Sequence, residues 1–177
     1  MEREQSFNVH QKLNLDEVIE TYKDMVFGIA LTHVCNKADA DDVSQEVFLA
    51  YFQKNIVFNG TEHIKAWLIK TTINQCKKRT GSTWRKKTVP LEEVKDVNFI
   101  FETEMENTIF IALHQLPYKY RSVLHLFYFE DMTVNEISTV LKVKPGTVKV
   151  RLSRGRNLLK EHIASEKSNL LPDKIIL

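Results

Sequence analysis

The side chains best suited to chemistry lie between Thr147 and Asn157, in TVKVRLSRGRN. Lys149, Arg151, Arg154 and Arg156 are cations, Thr147 and Ser153 can donate and accept hydrogen bonds, and Val150 offers an apolar contact. Such a set neutralises phosphates and reads base edges. Taken at 100° per residue from Val148, Leu152, Gly155 and Leu159 fall within about 40° and form an inner stripe. Gly146, Val150, Ser153, Arg154 and Asn157 lie opposite, flanked by Thr147 and Lys149. A helix laid in the major groove needs this layout, because base edges are met from its first turns and phosphates from cations at its rim.

The preceding residues position that helix. Thr133 and Glu136 have T-x-x-E capping-box spacing and start a short helix whose buried side is Ile137, Val140 and Leu141. LKVK makes the turn, and Pro145 suits the first position of the next helix, where its missing N–H costs nothing. A groove-reading helix-turn-helix is the favoured reading. The other is a pair of amphipathic helices that merely close a small domain.

Composition narrows the frame. The chain has 177 residues, 43% hydrophobic, enough for one ordinary core or two small ones. Five glycines and four prolines leave little turn material for a sheet, so an all-α protein is expected. The two cysteines, Cys35 and Cys76, form no C-x-x-C pair, which argues against a zinc site or disulfide framework and for a reducing cytosol. The first residues carry charges and no apolar signal core, and no apolar run is long enough to span a bilayer; a soluble, cytoplasmic protein is expected. The six histidines are scattered, and there is neither a glycine-rich phosphate loop nor a set with metal-ligand spacing. No enzyme activity, cofactor, metal or small-molecule substrate is expected.

Charge is strongly blocked although the net is only +2. Asn14 to Gln53 holds eight acids against two bases, Lys65 to Lys87 eight bases and no acid, and Glu92 to Glu106 six acids to one base. Separate surfaces of opposite field suit a chain that meets both a polyanion and a protein. Amphipathic stripes predict a helix from Asn14, with Val18, Tyr22, Met25, Val26 and Ile29 inward, and a second from the Asp-rich DADDV segment, with Val43, Val47, Ala50 and Tyr51 inward. NIVFNGTEH breaks the periodicity, and a third helix follows in which Ile64, Trp67, Leu68 and Thr71 share a side. The expected division is an N-terminal extension 1–13, a domain 14–80, an acidic flexible linker 81–104, a second domain 105–163 and a tail 164–177.

The segment MTVNEISTVLKVKPGTVKVRLSRGRNLLKE, preceded by LHQLPYKYRSVLHLFYFED, resembles domain 4 of sigma-70-type initiation factors. YKDMVFGIALTHVCNKADADDVSQEVFLAYF and IKAWLIKTTINQCKKR resemble that family's domain 2. Two such domains, in order and without an intervening domain 3, resemble the extracytoplasmic function (ECF) group. The resemblance implies a sigma factor that binds core RNA polymerase, through its β′ coiled coil and β flap, and promoter DNA. An anti-sigma factor is implied as a further partner, and stress response as the setting.

It also assigns residues. Asp42, Gln45, Glu46 and Leu49 would dock on polymerase. Thr147, Val150, Ser153 and Arg154 would contact bases of the -35 element, with Lys149, Arg151 and Arg156 on phosphates. Asn55, Phe58, Asn59, Lys65, Lys70, Asn74, Lys77, Lys78 and Arg79 would hold the opened -10 element, since unpaired bases call for cations and platforms or pockets. Trp67 is read as a core anchor rather than a stacking platform; Trp84 could stack or stand idle. Val150 and Gly155 depart from the family's usual polar residue and alanine, which bears on base preference. The alternative function is a stand-alone helix-turn-helix regulator that acts without polymerase.

Overall fold

A computed structural model describes residues 14–54, 56–80 and 104–169. All regular structure among them is helical: α1 Leu15–Val34, α2 Lys37–Gln53, α3 Thr61–Thr80, α4 Glu104–Gln115, α5 Tyr118–Tyr128, α6 Val134–Leu141 and α7 Pro145–Asn169. Expectations that fall on the N-terminal extension, Asn55, Trp84, the linker as far as residue 103 and the end of the tail lie outside the described residues.

Local chemistry sets the boundaries. At the start of α1, the Asn14 side chain accepts from the Asp16 amide at 3.3 Å while the Asn14 amide donates to Glu17 at 3.2 Å. The helix stops at Cys35, in the left-handed region with φ 55°. Asn36 caps α2 by accepting from the Asp39 amide at 3.0 Å. Pro117 separates α4 from α5. The Thr133 amide donates to Glu136 at 2.7 Å and the Glu136 amide donates back to Thr133 at 3.3 Å, which fixes the start of α6. Lys142, with φ 52°, ends α6, and Pro145 opens α7 as expected. Neither glycine nor proline follows Gly155 until Pro172, so α7 runs on to Asn169 and absorbs residues 164–169 of the expected tail.

The helices pack as two sets, α1–α3 and α4–α7, that share a seam. The first apolar cluster includes Val18, Tyr22, Val26, Val43, Val47, Tyr51, Ile64 and Leu68. The second includes Leu116, Val123, Leu124, Ile137, Val148 and Leu152, and also Ile29 of α1 with Ile69 and Ile73 of α3. α3 is therefore buried on two sides, one toward each cluster, which widens the single stripe expected for it.

Polar groups are buried in the same seam. Arg121 of α5 is fully enclosed and donates through Nη1 to the carbonyls of Thr32 at 3.2 Å and His33 at 3.1 Å. Through Nη2 it donates to the Leu116 carbonyl at 2.8 Å and to the His114 carbonyl. His33 Nε2 lies 3.1 Å from Ser122 Oγ, Thr32 Oγ1 lies 2.9 Å from His125 Nδ1, and the Tyr118 hydroxyl donates to the Ile73 carbonyl at 2.5 Å. Burial, together with the neighbouring Arg121, holds His33 well below the usual imidazole range and His114 down to about 3.

Candidate nucleic-acid and partner interfaces

On α7 the sequence pattern becomes a surface. Val148 and Leu152 are buried against α5 and α6, while Lys149, Val150, Ser153, Arg154 and Arg156 are exposed and Thr147 and Arg151 half-buried. The first turn of α7 follows the α6 cap directly, with the Thr147 amide donating to the Lys144 carbonyl at 2.9 Å. Arg154 lies beside the Tyr120 hydroxyl, and Arg156 donates to the Tyr128 hydroxyl at 3.4 Å. The helix thus projects a polar, cationic row outward from a rigid base. Gly155 belongs to the other side: an added Cβ would stand 3.0 Å from Leu124 Cδ1 and 3.3 Å from Tyr120 Cβ. Its departure from alanine bears on how closely α7 approaches α5, not on base preference.

The second surface is on α2. Asp42, Gln45, Glu46 and Leu49 are all exposed on one side of the helix. They rim a groove toward α1 lined by Leu15, Ile19, Phe48 and Phe52. Leu49 and Phe52 are 54% and 61% exposed, large values for apolar side chains of their size. Phe52 was missed from sequence; its place one turn beyond Phe48 and beside Leu49 is the signal that could have found it. A groove with an apolar floor and a carboxylate rim fits a basic amphipathic helix.

The third surface, expected from the loop before α3 through α3 itself, is only partly displayed. Asn59, Asn74, Lys77 and Lys78 are exposed and Lys65 and Lys70 half-buried. Phe58 is not on this surface. It is 6% exposed, with its ring centroid 5.2 Å from Tyr51 and 5.8 Å from Trp67. A loop residue with two large rings at hand gains more from burial than from standing in water, so Phe58 anchors the loop. Trp67 is half-buried against the first cluster, with Lys54 Nζ 5.5 Å from its centroid, which fits the anchoring role more than an open platform.

Arg79 also departs from expectation. Its Nε bonds Asp39 at 2.8 Å, its Nη2 Asp42 at 2.5 Å and its Nη1 Glu46 at 3.4 Å. The hydrogen bond that Arg79 donates to Asp39, then the one it donates to Asp42, raises its pKa. The arginine assigned to DNA therefore rests on two carboxylates assigned to polymerase. Three acids on the facing helix outcompete water for a planar fork that reaches all of them.

Two family models match the chain: Sigma-70 region 2 over residues 18–86 and Sigma-70, region 4 over residues 112–159. The chain belongs to the sigma-70 family, in its ECF group. It is 25% identical over 163 residues to the ECF RNA polymerase sigma factor SigW of Bacillus subtilis, covering 83% of this chain and 87% of that protein. To the RNA polymerase sigma factor SigV of the same organism it is 27% identical over 154 residues, covering 84% and 90%. The sigma factor RpoE of Bartonella quintana, solved in complex with the anti-sigma factor NepR, has the same fold, with a TM-score of 0.62 at 20% identity over 84% of this sigma factor and 96% of that chain. Among the described residues, no helix of the sigma factor is long and apolar enough to cross a membrane.

Proposed function

We propose that this ECF sigma factor binds core RNA polymerase, carries it to promoters through -35 and -10 recognition, and promotes their opening. The polymerase surface is Asp42, Gln45, Glu46 and Leu49, extended by Phe52 and the groove beside it. The -35 reader is the outer face of α7, with Thr147, Val150, Ser153 and Arg154 on bases and Lys149, Arg151 and Arg156 on phosphates. The opened -10 strand is held by Asn55, Asn59, Lys65, Lys70, Asn74, Lys77 and Lys78, and by Arg79 once it leaves the carboxylates. Residues 14–80 and 105–163 form the two working domains, and 81–104 the acidic tether between them.

One observation carries this reading: the two matched regions stand in order on one chain, each built around a surface that the other's task would leave idle. A stand-alone regulator is not favoured, because it would have no use for the acid-rimmed groove. The phosphodiester chemistry belongs to polymerase, so no catalytic role falls to this chain. The expected setting is the cytoplasm, where an anti-sigma factor would compete for the same surfaces.

Purified core polymerase provides the test. The wild-type chain should co-elute with core in gel filtration, and the Asp42→Arg, Glu46→Arg double variant should not. Failure of the wild type to co-elute, while it still binds duplex DNA, would contradict the reading.

A further inference from the structure

Arg154 and Arg156 leave α7 on either side of the buried Gly155, and each meets a tyrosine hydroxyl of α5. The two tyrosines are held differently. Tyr120 is 9% exposed, its amide donates to the Pro117 carbonyl at 2.9 Å in the first turn of α5, and its ring packs in the second apolar cluster with Val148 and Leu152. Tyr128, the last residue of α5, is 51% exposed, and the bond it accepts from Arg156 is long at 3.4 Å. One hydroxyl is therefore anchored by packing, while the other stands at the end of an exposed side chain.

Three neighbours fix the Tyr120 side chain against α7. Gly155 faces it without a side chain, and an added Cβ would stand 3.3 Å from Tyr120 Cβ and 3.0 Å from Leu124 Cδ1, so glycine is what lets the two helices meet this closely. The exposed Lys119 sets its Nζ 4.9 Å from the Tyr120 ring centroid. Arg154 reaches the hydroxyl from α7. Desolvation pushes the Tyr120 pKa up, but Arg154, which donates to the hydroxyl, and Lys119 outweigh it and bring the pKa down. A hydroxyl oxygen has two lone pairs, enough to accept from both cations.

A guanidinium holds five N–H donors in one plane. With one of them on Tyr120, the remaining edge is free and its plane is set, and such an edge pairs with two acceptors on a base. Binding normally costs an arginine its rotamer freedom, a cost that is smaller where the fork is already oriented. A cation on phosphate gains less from orientation, because backbone contacts carry no base information.

We propose that Tyr120 is a positioning residue for -35 recognition: its hydroxyl, held where α5 meets Gly155, orients the Arg154 guanidinium toward the base edges before DNA arrives. Tyr120 itself touches no base. The proposal rests on the assignment of Arg154 to bases of the -35 element. Tyr128 has no such part, since Arg156 is assigned to phosphate.

The test uses holoenzyme reconstituted from core polymerase and the full chain, at subsaturating concentration. Run-off transcripts are compared from two promoters that differ only in the upstream element, one selected from a random library and one scrambled. Their ratio cancels any change in polymerase binding. Tyr120→Phe keeps the ring and removes the hydroxyl, and should lower the ratio about three- to tenfold, as expected for the cost of ordering one arginine. Tyr128→Phe should leave the ratio within about twofold of wild type. In an Arg154→Ala background, Tyr120→Phe should lower the ratio no further, because the two residues act as one unit. In the free wild type, NMR relaxation should show the Arg154 Nε–H as ordered as the α7 backbone and the Arg156 Nε–H more mobile.

A ratio unchanged by Tyr120→Phe would overturn the proposal. So would an equal loss in the Arg154→Ala background, which would mean that Tyr120 does not act through Arg154. If Tyr120→Phe fails to assemble with polymerase, the wild-type relaxation decides, and an Arg154 group as mobile as that of Arg156 would overturn the proposal. A wild type that prefers the selected element, with Tyr120→Phe indifferent, would sink only the positioning role. A wild type that initiates from both promoters alike would sink the assignment of Arg154 as well, and one that never initiates would sink the sigma-factor reading.

Discussion

The outer faces of α7 and α3 carry similar cations and stand in opposite states. On α7, Lys149, Arg154 and Arg156 project from a helix whose Val148, Leu152 and Gly155 are buried, and Arg154 and Arg156 meet tyrosine hydroxyls. On α3, Lys70 faces another lysine, Lys77 faces an aromatic ring, and Arg79 is held by three acids. A helix that is buried on one side only is free to display the other. A helix wedged between two clusters displays what its neighbours leave, and its cations find intramolecular partners first. The cationic face of α7 is therefore open, while part of the cationic face of α3 is taken up by its neighbours.

The largest expected effect breaks the seam itself. Arg121→Ala strands four buried carbonyls at the ends of α1 and α4, and breaking a buried charged network of this kind costs about 3–5 kcal/mol. Urea denaturation should show a lower midpoint, and Arg121→Lys should recover only part of it. A midpoint within error of wild type would remove Arg121 from the account.

Acid should act on the same place with a calculable sign. His33 and His114 are held neutral by burial, with Arg121 facing both and His125 and Lys77 also near His33. Their folded pKa values lie below the unfolded value, so the stability they permit is complete above about pH 6.5 and declines as pH falls through that value toward the folded pKa. Each histidine contributes a slope of about 1.4 kcal/mol per pH unit in that window. Denaturation between pH 7.5 and 5.5 should show the loss, and a His33→Gln, His114→Gln variant should flatten it.

Arg154→Ala should lose about 1–3 kcal/mol of discrimination between a cognate -35 duplex and a scrambled one. Lys149→Ala should instead weaken both alike and lower the salt slope by about one. Equal losses on both duplexes for Arg154→Ala would move that residue from the bases to the backbone.

The smallest effect is expected at Arg79. Its ion pairs are largely exposed, so Arg79→Ala should change stability by less than about 1 kcal/mol. Release of Asp42 and Glu46 should tighten binding to core polymerase by up to about fivefold, measured by fluorescence anisotropy. Weaker binding would show that Arg79 helps to shape the docking face.

Features that depend on near neighbours were legible in the sequence. The Thr133–Glu136 capping box, Pro145 at the head of α7 and the inner stripe through Val148 and Leu152 follow from residues within two turns of one another. Features that depend on distant partners were not. Phe58 looked like a loop residue free to meet a base; its burial needs Tyr51 and Trp67 from two different helices. Arg79 was one base in a basic block, and its acids lie 33 to 40 residues away. Ile69 and Ile73 did carry a usable signal, since two isoleucines off the main stripe of α3 mark a second buried side. Arg121 stood in plain sight in YKYRSV, but its acceptors are backbone carbonyls, which leave no trace in residue types.

Run-off transcription with purified core polymerase over a library of promoter sequences tests initiation by this sigma factor most directly. Transcripts should depend on this chain and share one upstream and one downstream motif, with Arg154→Ala relaxing the upstream motif alone. Transcription no different from core polymerase by itself, with this chain still bound to duplex DNA, would contradict it.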